Sequence, residues 1–164
     1  MDKTAKIMWV IFWVLVLTAL SYFFQDQIEQ KINPNQQVNS TINAGRISVT
    51  LAQNAHGHYV ANGTINQHPV TFLLDTGATN IAIPAHLGQV LGLKKGKTQR
   101  VRTANGTINV SATTINTLTL GEITLTQLKG HLNPGMTDNT ILLGMNALKQ
   151  LELVQKNNTL TLIL

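Results

Sequence analysis

No cysteine occurs among the 164 residues. That absence excludes a disulfide framework, a thiolate metal site and a cysteine nucleophile, and it leaves the redox state of the compartment open. Charge is scarce as well: 12 Lys and Arg against 7 Asp and Glu give +5 at neutral pH, with only 12% of residues charged. So thin a charge density is not the basic surface that nucleic-acid binding needs, and no nucleic-acid partner is expected. Metal-ligand clusters are missing too. His56, His58, His68, His86 and His131 are scattered, and His56-x-His58 is a weak spacing with no carboxylate cluster beside it. These read as surface histidines, so neither a metal nor another cofactor is expected. A chain of this length holds one modest core and an appendage.

The appendage is at the N-terminus. Residues 7–24, IMWVIFWVLVLTALSYFF, carry no charge, and as a helix they span roughly 27 Å, close to the hydrocarbon thickness of a bilayer. Apolarity all round the circumference is not that of a soluble surface helix. Lys3 and Lys6 precede the run, whereas Asp26 and Glu29 with Lys31 follow it. The positive-inside bias therefore leaves residues 1–6 as a cytoplasmic tail and sends the rest outward. A cleaved signal peptide is the competing reading, but the site at Ala19-Leu20-Ser21 is poor and the apolar run is longer than a usual signal core. Residues 25–45, rich in Gln and Asn, show neither a period of 3.6 nor one of 2. They read as a polar linker, either a flexible tether or a weakly helical stalk.

Residues 46–164 read as a mainly β domain. Strands are predicted over 46–51, 58–65 and 69–75, the last two forming a hairpin around Asn66, Gln67 and His68. A short strand at 81–83 and a short helix over 84–91 follow. Residues 98–103 and 108–114 flank Ala104-Asn105-Gly106-Thr107, where Asn-Gly suits the positive-φ positions of a type I′ turn. A further hairpin is predicted at 115–120 and 123–128, then a strand ending at Gly144, a short helix over 145–151, and two strands joined at Asn157-Asn158.

The chemistry gathers at Val70-Thr71-Phe72-Leu73-Leu74-Asp75-Thr76-Gly77-Ala78-Thr79, an apolar β-type run that stops at a carboxylate and turns. An acid at the end of a buried strand is costly unless something uses or satisfies it. Gly77 allows the backbone to fold back so that N–H groups point at the carboxylate, and Thr76 places a small hydroxyl beside it. Taken alone, the tripeptide is more readily a structural turn whose aspartate caps Gly77 and Ala78.

Asp-Thr-Gly is the signature of aspartic proteases, and Leu73 to Thr79 resembles the active-site strand of the retroviral-type, retropepsin-like branch. Thr103-Ala104-Asn105-Gly106 and Leu142-Leu143-Gly144-Met145 follow in the order of that family's flap and its hydrophobic-hydrophobic-Gly strand. The resemblance covers roughly residues 57–164 and is to the membrane-anchored bacterial members. It implies a closed β-barrel with a flap hairpin and one or two short helices. It further implies a catalytic Asp75, Thr76 and Gly77, substrate contacts from Ala78, Thr103, Ala104, Asn105, Gly106 and Leu143, and a C-terminal strand interleaved with that of a second subunit. The aspartate and arginine that pair near the viral dimer interface are replaced by Thr79 and Met145.

Peptide hydrolysis by this route needs two carboxylates sharing a proton, and the chain has one Asp-Thr-Gly. Asp2, Asp26, Glu29, Glu122, Asp138 and Glu152 fall in the tail, the linker, turns or helix surface. A symmetric homodimer with Asp75 from each subunit is therefore required. At about 3 Å and an effective dielectric near 20, two ionised carboxylates repel by roughly 5 kcal/mol, so one stays protonated and activity is expected on the acid side of neutrality. The expectation is a membrane-anchored aspartic endopeptidase acting on protein or peptide substrates. It would sit in a bacterial inner membrane by one pass, with its protease domain periplasmic. A catalytically inactive dimeric peptide-binding or adaptor module on the same fold, and a purely structural membrane protein, are the alternatives.

Overall fold

The computed structural model describes residues 2–103 and 106–164. Helix α1, Lys3–Ile32, runs for 30 residues. Its side chains from Ile7 to Phe24 are solvent-facing, with Trp9, Phe12, Leu17 and Phe23 each more than half exposed. The helix is long and apolar enough to cross a membrane.

Of the two forms expected for residues 25–45, a flexible tether or a weakly helical stalk, the first part is helical and the rest is ordered. α1 continues through Gln25 to Ile32, and strand β1, Ser40–Asn43, pairs antiparallel with β2, Arg46–Ala52. Between them Asn33 and Asn35 are buried. The Asn35 side chain donates to the carbonyls of Ala52 and Val60 at 2.9 and 2.7 Å and accepts the Ala52 N–H at 2.7 Å. Asn33 donates to the Asn62 side chain at 2.8 Å and accepts the Asn35 N–H at 3.0 Å. These partners lie far away in sequence, so no local periodicity announces them.

Strands β3, Tyr59–Ile65, and β4, His68–Leu74, form a hairpin whose two turn residues, Asn66 and Gln67, both have positive φ, as a type I′ turn requires. Strand β5, Ile81–Pro84, is followed by a single 3-10 turn, Ala85–Leu87, in place of the helix expected over 84–91. Strand β6, Thr98–Thr103, pairs with β7, Gly106–Leu120, and β7 with β8, Ile123–Asn133. β7 is one strand of 15 residues where two were expected. Strand β9, Thr140–Leu143, leads into a short helix α2, Met145–Leu148, which ends before the expected 151. β10, Glu152–Lys156, and β11, Thr159–Ile163, turn at Asn157 and Asn158.

The larger sheet has the order β3-β4-β9-β5-β8-β7-β6, and β3 also pairs with β7. Six strands thereby close into a barrel, leaving the β6–β7 hairpin projecting as the expected flap. Phe72, Ile65, Ile81, Ile83, Ile115, Leu118 and Ile141 fill the interior. A second sheet, β1-β2-β11-β10, adds Val49, Leu51 and Leu162 to the same core. β11 lies between β2 and β10 of its own chain, so the tail expected to interleave with a second subunit finds its partners within the molecule.

Asn35→Ala removes three hydrogen bonds and leaves the buried Val60 carbonyl and the part-buried backbone groups of Ala52 short of partners. We expect a loss of about 2–4 kcal/mol, measured by urea unfolding of the full chain in mild detergent. A change below about 0.5 kcal/mol, the level of an inert surface substitution, would show that the strap does not hold the barrel.

Candidate active site

Asp75 stands where β4 ends. Its N–H donates to the Leu143 carbonyl at 3.1 Å, continuing the parallel β4–β9 ladder by one residue. The chain then reverses: the Ala78 N–H donates to the Asp75 carbonyl at 3.2 Å, and the Gly77 N–H donates to Asp75 Oδ1 at 2.8 Å. An added Cβ at Gly77 would lie 3.1 Å from that same Oδ1. Glycine thus leaves the carboxylate room while supplying it a donor.

The loop is clasped from behind by α2. Met145 N–H donates to the Ala78 carbonyl at 2.8 Å and Asn146 N–H to the Thr79 carbonyl at 3.0 Å. Gly144 makes this approach possible, because a Cβ there would meet the Asn80 and Ala78 carbonyl oxygens at 2.5 and 2.7 Å. The side chain of Asn146 also donates to the Lys129 carbonyl at 2.6 Å, tying the loop to β8.

The predicted residues are therefore brought together in part. Asp75 and Ala78 are half-buried, Thr76 and Gly77 exposed, and all four lie on one turn. Leu143, expected to touch substrate, is buried in the core and contributes its carbonyl to Asp75. The side chain on the open face is that of Leu142. Strand alternation explains this: Asp75, Leu73 and Thr71 share one face of β4 while Phe72 points inward. Leu73 pairs with Leu142, and Leu142 with Ala82. These three are partly exposed, whereas Phe72, Ile141, Leu143, Ile81 and Ile83 are buried. Leu73, Leu142 and Ala82 thus make an apolar floor beside the carboxylate. Sequence reading missed it, although counting in twos from Asp75 reaches Leu73.

Val101 and Ile108 pair across the β6–β7 hairpin. An added Cβ on Gly135 would meet Ile108 Cδ1 at 2.7 Å, so the hairpin rests on the loop after β8. Thr103 is exposed and its hydroxyl donates to the Gly106 carbonyl at 2.9 Å. Gly106 (φ +109°) pairs with Thr103 at the start of β7, one place later than the expected turn position. Ala104 and Asn105, also expected to contact substrate, lie outside the described residues. Among the described residues no group of three or more His, Asp or Glu is placed to hold a metal.

On β8, His131 is partly buried, and loss of solvation holds its imidazole below the ordinary value near 6.5. Above that value both folded and unfolded chains carry it neutral. As pH falls below about 6.5 the unfolded chain binds a proton first, so stability falls until the lower folded value is passed.

Comparison with known proteins places these features in a wider set. A family model described as gag-polyprotein putative aspartyl protease matches residues 61–150. An uncharacterized protein of Rickettsia prowazekii is 25% identical over 151 residues, 87% of this chain and 63% of that protein. An uncharacterized protein of Sinorhizobium is 26% identical over 155 residues, 87% of this chain and 66% of its own length. The chain thus spans a little under two thirds of these curated relatives. The crystal structure of a retropepsin-like aspartic protease from Rickettsia conorii is similar with a TM-score of 0.61 and 28% identity, covering 77% of this chain and 95% of that one.

Unfolding free energy measured between pH 7.5 and 5 should decline with acid in the parent and decline less in His131→Gln. Identical slopes would remove His131 from the acid sensitivity of the fold.

Proposed function

We propose that this chain, which belongs to the gag-polyprotein aspartyl protease family, is a membrane-anchored aspartic endopeptidase whose catalytic pair is Asp75 from each of two identical chains. The observation that carries the proposal is the setting of Asp75: a carboxylate at the end of a barrel strand, fixed through its backbone to Leu143 and through Oδ1 to the Gly77 N–H. Beside it lies an apolar floor, and the β6–β7 hairpin projects from the same barrel. Among the described residues of one chain no acidic side chain stands beside Asp75 to share a proton: Glu152 pairs with Arg46, Glu122 is exposed in the β7–β8 turn, and Asp138 is exposed just before β9, at the end of the parallel β4–β9 ladder opposite to Asp75.

In the dimer, one Asp75 is ionised and the other protonated, because adjacent charges repel. The ionised carboxylate takes a proton from a water held between the pair while the water oxygen bonds to the scissile carbonyl carbon. The protonated partner passes its proton to the carbonyl oxygen. The tetrahedral diol then collapses: a proton moves to the amide nitrogen, the C–N bond breaks, and acid and amine leave. The exposed Thr76 on each turn is the group through which the two loops meet. Ala78 and Thr103, with the hairpin that carries Gly106, hold the substrate as an extended strand whose backbone pairs with theirs. The hairpin excludes water from the reacting bond.

Residues 7–24 form the anchor, with residues 1–6 in the cytoplasm and the barrel in the periplasm of a bacterial inner membrane. The Asn33–Asn35 docking supports a barrel held close to the outer leaflet. Confinement to one membrane raises the encounter of two weakly associating chains. A dimeric peptide-binding module is the second reading, favoured by the completion of the terminal sheet within one chain, which leaves less of the molecule committed to a tight catalytic interface.

Incubated with a diverse peptide mixture between about pH 4 and 7, the full chain in detergent should cleave, and Asp75→Asn should lose at least about a thousandfold of that activity. Cleavage retained in the variant would contradict Asp75 as the catalytic group, and cleavage absent from the parent at every concentration tried would contradict the enzyme and leave the binding module.

A further inference from the structure

The face that carries Asp75 does not end at the apolar floor. Across the large sheet, Leu73 pairs with Leu142, Leu142 with Ala82, Ala82 with His131, and His131 with Ala112. Partners in register share a face, and each of these five is partly exposed beside at least one fully buried neighbour on its strand. They form one transverse row leading from the carboxylate's strand to β8 and β7. With strands about 4.8 Å apart, His131 lies three steps, roughly 14 Å, from Leu73 along this row.

There the row enters a cavity of about 690 Å³ whose walls include Asn80, Lys94, Lys95, Gln99, Lys129 and His131, and no carboxylate. Asn80 comes from the loop that begins at Asp75, so that loop also contributes to the wall of the cavity. The lysine-bearing loop is pinned to β7: Gly96 N–H donates to the Ala112 carbonyl at 2.7 Å, Ala112 N–H to the Lys97 carbonyl at 2.9 Å, and the buried Thr113 hydroxyl to the Lys94 carbonyl at 2.8 Å. A Cβ at Gly96 would come within 2.9 Å of the Ala112 oxygen, so the close seating is built into the sequence. Among the described residues Arg46–Glu152 is the one ion pair, which leaves the three lysine ammonium groups without carboxylate partners. An ordinary solvated basic loop needs neither the pinning nor the convergence of Lys129 from another strand.

We propose that this basic cavity is a distal subsite of the substrate cleft, taking the side-chain carboxylate of a Glu or Asp about four or five residues from the scissile bond, at about 3.3 Å per extended residue. The proposal rests on the peptidase reading for its position and on the cavity's own chemistry for its charge. Lys94, Lys95 and Lys129 supply the positive field, while the Asn80 and Gln99 amides donate hydrogen bonds. Two-fold symmetry would place one such subsite on each side of the paired aspartates, so acidic residues on both flanks are favoured together.

The test uses the full chain in detergent, with peptide pairs that differ only by Glu or Gln four and five residues from the cleaved bond. One exposed ion pair alone gives at most a few-fold, but three converging cations should give a Glu-over-Gln preference of about tenfold in kcat/KM. That ratio should fall to about one in the triple variant K94Q/K95Q/K129Q. It should persist in K31Q/K149Q/K156Q, which removes the same charge elsewhere. Equal use of Glu and Gln by the parent, or a preference surviving in the cavity variant, overturns the subsite. Binding of the same peptides to Asp75→Asn, read by fluorescence anisotropy, separates this from failure of the peptidase reading: the Glu peptide should bind about tenfold tighter whether or not the parent cleaves. If the cavity variant instead loses binding to phosphatidylglycerol vesicles while the peptide ratio is unchanged, the lysines serve the membrane and the proposal fails.

Discussion

The crossing of β9 behind the Asp75 turn is the constraint on which the site depends. Gly144 brings two backbones to a separation that no side chain tolerates, with carbonyls of Ala78 and Asn80 at 2.7 and 2.5 Å from where a Cβ would stand. That approach lets Met145 and Asn146 bond the loop from behind, while the β4–β9 ladder holds Asp75 from the side. A loop so fixed on three sides presents its carboxylate at one position relative to the barrel. Pre-organisation of this kind is what a reaction limited by placement of a water and two carboxylates requires. The same clasp runs on through Asn146 to Lys129, so the Asp75 turn and the basic cavity are parts of one hydrogen-bonded frame.

Much of this was legible in the residues. Asp75 at the end of an apolar run, the long apolar helix and the turns at Asn66-Gln67 and Asn157-Asn158 follow from short-range patterns of hydrophobicity and turn chemistry. What escaped depends on partners distant in sequence. Ile141, Leu142 and Leu143 are all apolar, so composition alone does not say which faces the cleft; the barrel decides it, and Leu142 is the one left partly exposed. β7 continues past the point where a second strand was expected because its first part pairs with β6 over residues 106–111 and its second with β8 over residues 111–120, so the two ladders overlap at Ser111. The helix expected after Pro84 stops at one turn, where Gly88 packs on Leu132 closely enough that a Cβ would lie 3.2 Å from its methyl groups.

The linker teaches the same lesson. Its asparagines carry no periodic signal, but two of them are buried against β2 and β3 and satisfy backbone groups that would otherwise be stranded. Order there shortens the tether between the apolar helix and the barrel to a few residues. The low overall charge is also unevenly spent: the cationic residues near the cleft gather on one cavity, and the acids stand elsewhere.

The central claim is that one aspartate per chain suffices because two chains supply the pair. Wild-type and Asp75→Asn chains mixed in exchanging micelles, at constant total concentration above that needed for full association, test it directly. With equal parts of each, peptidase activity should fall to about one quarter, the fraction of pairs carrying two aspartates. A fall to about one half, linear in the wild-type fraction, would mean that a single chain performs the chemistry and would contradict the shared pair.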